Sequence, residues 1–176
     1  MPALTIRPVS PADIAAITRI YAHAVTHGTA SFELEPPDEA EMTRRMQALV
    51  GGGFPYLVAE VGNALVGYAY AGAYRPRRAY RFSVEDSIYV DAAAHRKGVG
   101  RTLLTHLIEE AERRGFRQMI AVIGDSNQAP SIELHRALGF RMIGAIENVG
   151  FKFDRWLDTV LMQRPLGTGA TAKPRA

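Results

Sequence analysis

Residues 95–104, HRKGVGRTLL, combine positive charge, two glycines and the start of a helix within ten positions. A helix start presents unpaired backbone N–H groups and the positive end of the helix dipole. Glycine has no Cβ, so an oxygen-rich group can approach the backbone closely at Gly98 and Gly100. This segment therefore predicts a binding site for an anionic group such as a phosphate.

Two familiar phosphate-binding motifs fit this segment poorly. A P-loop carries a Lys-Ser/Thr pair after its last glycine, whereas Gly100 is followed by Arg101 and Thr102. The dinucleotide fingerprint needs a third glycine, and position 103 is a leucine. The remaining candidate is the pyrophosphate loop of enzymes that bind acyl-coenzyme A.

A carboxylate lies in the predicted strand just before this segment. Glu85 is flanked by Val84 and the apolar run SIYV, and burial among such residues raises the pKa of a carboxyl group. A carboxylate whose pKa approaches neutrality can accept a proton from a substrate ammonium. The alternative is an ordinary strand glutamate that faces solvent. Asp86 would point to the opposite face, since strand side chains alternate.

The stretch YRPRRAYRF, residues 74–82, interleaves arginine with aromatic residues. A guanidinium group makes planar two-point contacts with carboxylate, phosphinate or sulfonyl oxygens. The stretch therefore indicates recognition of an anionic or strongly dipolar acceptor, with Arg75 or Arg78 as the main candidate. The alternatives are a solvated basic loop and contacts to a cofactor or a second subunit.

The elements that must position these residues follow from hydrophobic spacing and from glycine and proline breaks. Helical spacing follows Ser10-Pro11 as far as Gly28, and a second helix begins at Asp38. Residues 29–38, with two prolines, form a loop. We expect one mixed α/β domain over residues 1–165 and a flexible tail over 166–176. The remaining predicted elements are strands 4–9, 56–61, 64–74, 83–90 and 118–124, helices 99–114 and 129–138, and a closing antiparallel pair, 140–151 and 155–166.

Composition excludes several classes of protein. The 176 residues include no cysteine, which excludes disulfides and thiolate metal sites and fits a reducing cytoplasm. The N-terminus has no hydrophobic signal core, and no apolar run approaches a membrane span. A net charge of +3 is weak support for nucleic-acid binding. We expect a cytoplasmic protein with no metal, membrane or nucleic-acid partner.

The segment HRKGVGRTLL resembles the Arg/Gln-x-x-Gly-x-Gly/Ala motif of the GNAT N-acetyltransferase superfamily. A second segment, NQAPSIELHRALGF (127–140), resembles the later family motif of an Asn, a helix and Leu-Gly-Phe. The likeness covers residues 3–164 and is strongest to the branch of phosphinothricin and methionine sulfoximine/sulfone acetyltransferases. Its further matches are TASFE (29–33), YRFSVEDSIYV (80–90), AVIGDSNQAPSIELHRALGF (121–140) and GFKFDRWLD (150–158).

The resemblance implies the GNAT fold, an α/β fold with a mixed central sheet of six to seven strands and helices on both faces. It also implies direct transfer of acetyl from acetyl-CoA to the primary amine of a small amino acid or analogue. The strand at 88–90 would pair with the pantetheine arm, and the 96–101 loop would hold the pyrophosphate. The implied cofactor-binding residues are Ile88, Tyr89, Val90, Arg96, Lys97, Gly98, Val99, Gly100, Arg101, Asn127 and Ser131.

The resemblance also assigns roles on the acceptor side and implies a homodimer. Glu85 would be the general base, and His135 would protonate the leaving thiolate or simply pack its helix. Asn127 alternatively caps the helix that follows it. Glu33 would bind the substrate ammonium. The implied acceptor-binding residues are Phe32, Glu33, Arg75, Arg77, Arg78, Tyr80, Glu85, Asp86 and Ser87.

One residue departs from the pattern of this branch. Asp154 stands where a glycine is usual, and glycine there would permit a turn with positive φ between the closing strands. The departure bears on the shape of that turn, and Trp156 beside it is expected in the core or at a dimer contact. Rival functions are acetylation of protein N-termini or of another small amine, and a CoA-binding module without catalysis.

Overall fold

The computed structural model describes residues 3–174, which form seven strands, four α-helices and three short 3-10 turns. The strands are β1 (Leu4–Pro8), β2 (Tyr56–Val61), β3 (Ala64–Ala73), β4 (Ser83–Val90), β5 (Gln118–Gly124), β6 (Arg141–Lys152) and β7 (Arg155–Pro165). The helices are α1 (Ile14–His27), α2 (Glu39–Gly51), α3 (Val99–Arg113) and α4 (Ala129–Ala137). The 3-10 turns are Pro11–Asp13, Arg78–Tyr80 and Ala92–Ala94.

The helices begin and end near the predicted residues. Asp38 caps α2, because its Oδ1 accepts a hydrogen bond from the Glu41 N–H at 2.8 Å. Gly28 terminates α1, as its spacing predicted. One detail differs, since residues 11–13 form a 3-10 turn and the α-helix itself starts at Ile14.

The strands form one sheet in the order β1-β2-β3-β4-β5-β7-β6. Neighbouring strands are antiparallel except β4 and β5, which are parallel, so the expected mixed sheet with helices on both faces is confirmed. Ser83–Asp86 pair with residues 118–121, and the two strands separate beyond Asp86. The sheet therefore opens at the carboxyl end of β4, where the sequence predicted the cofactor.

A hydrophobic core fills each face of the sheet. On one face, Leu103, Leu104 and Leu107 of α3 pack on the strands with no exposed area. On the other, Ile17 of α1 and Met46 of α2 pack on a group of buried tyrosines. These two layers fix β4 between them, so successive β4 side chains enter different environments.

Residues after β7 make contacts with the rest of the domain. Leu166, the first residue of the predicted flexible tail, is fully buried, because it joins the core beside α3. Arg117 donates hydrogen bonds to the carbonyls of Gly169 and Lys173. Residues 175 and 176 of the predicted tail lie outside the described residues. Within residues 3–174, no helix is long and apolar enough to cross a membrane.

The turn between β6 and β7 uses left-handed backbone at two positions. Phe153 has φ of 52° and Asp154 has φ of 55°, so the turn keeps the positive φ for which glycine is usual. Asp tolerates this region better than most residues, which accounts for the substitution. Trp156, expected in the core or at a dimer contact, is 61% exposed and does not belong to the core.

Candidate active site

The opening between β4 and β5 forms a cleft, and residues of α4 form one of its walls. Beyond Asp86, the β4 backbone groups that face β5 have no strand partner there, so an extended ligand can pair with them. Ile88, Tyr89 and Ser131, which are predicted to bind the cofactor, line the cleft, whereas Val90 does not. Its lining residues are Ala30, Asp86, Ser87, Ile88, Tyr89, Ala121, Val122, Ile123, Gly124, Gln128, Ser131 and His135.

The start of α3 lies beyond the carboxyl end of β4. Gly98 is the N-cap with φ of 80°, a conformation that favours glycine. The Thr102 N–H donates to the Gly98 carbonyl, so the N–H groups of the first turn remain available to an anion. The side chains of Arg96 and Arg101 are exposed there, which adds positive charge to the helix start.

Lys97 and Asn127, both predicted to bind the cofactor, are exposed just before the starts of α3 and α4. Lys97 Nζ donates to the Ala93 carbonyl at 2.8 Å, which anchors the turn before α3. Asn127 is exposed and does not line the cleft, and the N-cap of α4 is Gln128. Gln128 lines the cleft instead. Asn127 thus neither caps α4 nor faces the cleft wall in this structure.

Glu85 is half-buried on the sheet face that carries α1 and α2, one residue before the cleft begins. Burial raises the pKa of its carboxyl group, and the neighbouring charge of Asp86 raises it further. The positive charge of Arg75 acts in the opposite direction. A carboxylate in this state accepts a proton more readily than a solvated glutamate does.

Asp86 points to the other face, as predicted from strand alternation, and pairs with His135. His135 Nε2 lies 2.9 Å from Asp86 Oδ2, and Nδ1 donates to the Ser131 carbonyl at 2.7 Å. Burial lowers the pKa of His135, but hydrogen bonding and charge from Asp86 outweigh it and raise the pKa overall. Both ring nitrogens face oxygen acceptors, so protonation of a thiolate would require His135 to break one of these bonds.

The basic loop between β3 and β4 places its arginines differently. The Arg75 guanidinium lies 5.2 Å from the centre of the Tyr74 ring. It interacts electrostatically with the carboxylate of Glu85. Arg75, Arg77 and Arg78 are all exposed residues. Tyr80 packs edge-on against Tyr74 at 5.8 Å. Among the predicted acceptor-binding arginines, Arg75 is therefore the one with an electrostatic link to Glu85.

The loop after α1 brings Phe32 and Glu33 to the same region. The Phe32 ring packs against the backbone of Gly124 and Gly150, and 37% of the residue remains exposed. Glu33, predicted to bind a substrate ammonium, accepts hydrogen bonds from Arg45 at 2.6 Å and from the Tyr21 hydroxyl at 2.8 Å. Its charge is already balanced by Arg45, which weakens any attraction for a second cation.

Four polar residues near the site had no role in the sequence prediction: Thr29, Asp125, Gln128 and Lys152. A signal was available only for Asp125, because it directly follows a buried strand, where ligand-binding residues of α/β proteins gather. The others make contacts between segments far apart in the chain. Their pairing cannot be read from local spacing.

Comparison with known proteins agrees with this arrangement. A family model described as an acetyltransferase (GNAT) domain matches residues 6–161. The chain therefore belongs to the GNAT acetyltransferase family and is an acetyl-CoA-dependent N-acetyltransferase.

Its relatives include enzymes with stated acceptors. The chain is 55% identical over 172 residues to a phosphinothricin N-acetyltransferase of Alcaligenes faecalis, covering 98% of this chain and 87% of that one. It is 43% identical to an L-methionine sulfoximine/L-methionine sulfone acetyltransferase of Salmonella typhimurium, covering 93% and 95%. A phosphinothricin acetyltransferase of Sinorhizobium meliloti, crystallised with acetyl-CoA, superimposes with a TM-score of 0.95 at 50% identity, covering 98% and 93%.

The described residues fit acetyl-CoA as co-substrate. The parted strands offer backbone groups to an extended amide-bearing arm, and the start of α3 offers N–H groups and positive charge to a diphosphate. When bound, acetyl-CoA supplies an activated acetyl thioester. The chain's own contribution is to hold that thioester where an acceptor can reach it.

Proposed function

We propose that this enzyme acetylates the primary amine of a small amino acid or analogue of the phosphinothricin, methionine sulfoximine or methionine sulfone class, with Glu85 as general base. The half-buried carboxyl of Glu85, with its raised pKa beside the cleft, is the observation that carries the proposal. The names of the relatives support the acceptor class.

Glu85 would remove the proton that keeps the acceptor amine unreactive. An alkyl ammonium has a pKa of about 10, so about one molecule in a thousand is a free amine at pH 7. Glu85 takes the ammonium proton directly or through one water. The freed amine nitrogen then attacks the thioester carbonyl, and the C–S bond breaks as the amide forms. The nitrogen loses its second proton to solvent, and the thiolate leaves and is protonated by solvent to the thiol.

Two further groups would stabilise this reaction. A backbone N–H among Ile88, Tyr89 and Val90 donates to the oxyanion of the tetrahedral intermediate. Arg75 binds the acceptor's carboxylate or side-chain oxygens and thereby aims the amine at the cleft. A thiol is a good leaving group, so the reaction proceeds without His135 as an acid. The His135–Asp86 pair then serves to hold α4 against β4.

We also propose that the enzyme works as a homodimer in the cytoplasm. Strand β6 is the edge of the sheet, and its outer surface, with the turn that follows, exposes many apolar side chains. Such a surface is typical of a protein–protein interface. The lack of cysteine suits a reducing compartment. The exposed apolar residues are Met142, Ile143, Ile146, Val149, Phe151, Phe153 and Trp156.

A thiol-release assay with acetyl-CoA and a panel of acceptors tests the proposal. The panel comprises phosphinothricin, methionine sulfoximine, methionine sulfone, plain amino acids, polyamines and short peptides. We expect the first three to give the highest kcat/KM, and Arg75→Met to raise their KM about tenfold or more. Arg77→Met is the matched control and should change KM less than twofold. Preference for peptides, or an unchanged KM in Arg75→Met, would overturn the acceptor assignment.

A further inference from the structure

Three buried polar side chains beside the site have no part in the chemistry described above. Thr29, Asp125 and Lys152 are each no more than 6% exposed. A buried polar group is costly unless it is hydrogen-bonded, so its partners indicate what it holds in place. Thr29 belongs to the segment of residues 28–33, which carries Phe32 and Glu33, and Asp125 and Lys152 bind this segment from outside.

Lys152 binds this segment from the end of β6. Its Nζ donates to the carbonyl of Gly28 at 2.9 Å and to that of Ser31 at 2.8 Å. Burial lowers the pKa of Lys152, while the charge of Glu33 acts against the lowering. One ammonium group therefore fixes the backbone at two points three residues apart.

Asp125 binds the same segment from the end of β5. Its carboxylate accepts hydrogen bonds from the Thr29 hydroxyl at 3.0 Å, the Asn127 N–H at 3.0 Å and Arg155 at 2.6 Å. Burial would raise the pKa of Asp125, but these three donors outweigh it and hold the pKa below its usual range. Asp125 thus joins the 28–33 segment to the start of α4 and to β7.

Thr29 connects these contacts to the cleft itself. Its hydroxyl donates to Asp125 and accepts a hydrogen bond from Gln128 Nε2 at 3.0 Å. Gln128 and Ala30 both line the cleft between β4 and β5. A single hydroxyl group therefore bridges the acceptor side and the cofactor side of the site.

Close packing on two glycines completes the attachment. A Cβ at Gly124 would lie 2.5 Å from the Thr29 carbonyl oxygen, so only glycine allows the backbone of the segment to approach β5 this closely. A Cβ at Gly150 would likewise collide with the Phe32 ring. The segment is therefore seated by shape as well as by hydrogen bonds.

We propose that Thr29, Asp125 and Lys152 are positioning residues that hold segment 28–33 as a preformed wall of the acceptor site. This inference rests on the proposed function and on the prediction that Phe32 of this segment borders the acceptor. The three residues touch neither the reacting atoms nor, by this proposal, the acceptor. They lower the KM for the acceptor because the wall needs no ordering when the acceptor binds.

Steady-state kinetics with the best acceptor of the panel test the proposal. Thr29→Val keeps the shape but loses the hydroxyl, and Thr29→Ser keeps the hydroxyl. We expect Thr29→Val to raise the acceptor KM about tenfold, with the KM for acetyl-CoA changed less than threefold and Thr29→Ser near wild type. Asp125→Asn should behave as Thr29→Val. Asp158→Asn is its control, because the Asp158 side chain binds Ser126 and Asn148 rather than the segment.

Amide hydrogen exchange gives a readout that needs no acceptor. Residues 29–33 should exchange at least tenfold faster in Thr29→Val and Asp125→Asn than in Thr29→Ser and Asp158→Asn, with α3 unchanged. If exchange in the segment is the same in all four variants, or both KM values rise together, the residues are not positioning residues. If no panel acceptor reacts, the proposed function fails, while the exchange measurement still decides this inference.

Discussion

Replacing Glu85 with glutamine tests the proposed base most directly. The substitution keeps the size and the polar shape of the side chain but removes its ability to accept a proton at neutral pH. Glu85 is a half-buried residue of β4, which lies between β3 and β5. Because glutamine has nearly the same size and shape, its amide fits the same space. Any loss of rate is then a loss of proton transfer rather than of packing.

The size of the effect follows from the amount of free amine. Without a base, the reaction must draw on the roughly one in a thousand acceptor molecules that are unprotonated at pH 7. A positioned base contributes about 100- to 10,000-fold. We expect Glu85→Gln to lower kcat/KM about 100- to 1,000-fold at pH 7, which is about 3–4 kcal/mol of transition-state stabilisation.

The pH profile distinguishes a base from a binding residue. In Glu85→Gln, kcat/KM should rise about tenfold per pH unit up to about pH 10, as solvent frees the amine. The wild-type enzyme should lose activity towards low pH as Glu85 protonates, at a pH above the usual glutamate range, since burial raises its pKa. The measurement is thiol release at saturating acetyl-CoA from pH 5 to pH 10.

Although Glu85→Gln should lose activity, its thermal stability should not fall. The folded-state pKa of Glu85 is raised, so its ionised form destabilises the fold, and this penalty grows as pH rises through the folded pKa. The glutamine variant should therefore unfold at no lower a temperature than wild type at pH 8. Glu109→Gln, on the exposed face of α3, is the control, because it makes the same substitution at a solvated glutamate. Wild-type kcat/KM with an unchanged pH profile in Glu85→Gln would refute the base assignment.

Two further predictions concern the buried pair and the apolar edge. His135→Ala leaves Asp86 buried without its partner and should cost about 3–5 kcal/mol in urea unfolding. Since the folded pKa of His135 is raised, the difference from wild type should be full below about pH 6.5 and shrink at higher pH, and a pH-independent difference would contradict the ion pair. Trp156→Arg should convert the dimer to monomer in sedimentation velocity at micromolar concentration, because it charges the exposed surface beside β6. A monomeric wild-type enzyme would contradict the dimer.

Local signals predicted the fold well because each element carries its own start and stop. Strand β4 was predicted at its observed bounds, since the aromatic loop before it and the basic segment after it have a different composition. Leu166 lies where the predicted closing strand and the predicted tail meet, and no periodicity reports its burial, because it is one large side chain beside a polar stretch. The start of α1 was misplaced by one turn, since proline and aspartate suit a 3-10 turn as well as a helix.

The site was predicted best where it follows a single strand. Glu85 and Asp86 fall on opposite faces by alternation alone, and the structure agrees. The contact between Glu33 and Arg45 joins a loop to a helix twelve residues later, and the sequence offers no sign of it. Asn127 and Gln128 are equally polar neighbours. Which of them faces the cleft depends on the backbone turn before α4, where Asp125 has φ of 70°.

The Phe32 ring packs against both Gly124 and Gly150, so three residues that are far apart in the sequence share one packed space. A methyl group can be added at Gly150 only if the aromatic ring is made smaller or moves, so Gly150 and Phe32 must change together during evolution or redesign. At Gly124 the carbonyl oxygen of Thr29 blocks a methyl group as well. Truncating Phe32 alone would open space beside both glycines as well as at the exposed side of the ring. By the proposed function, the space open to the acceptor then depends on the loop after α1, on β5 and on β6, and variant libraries should vary all three together.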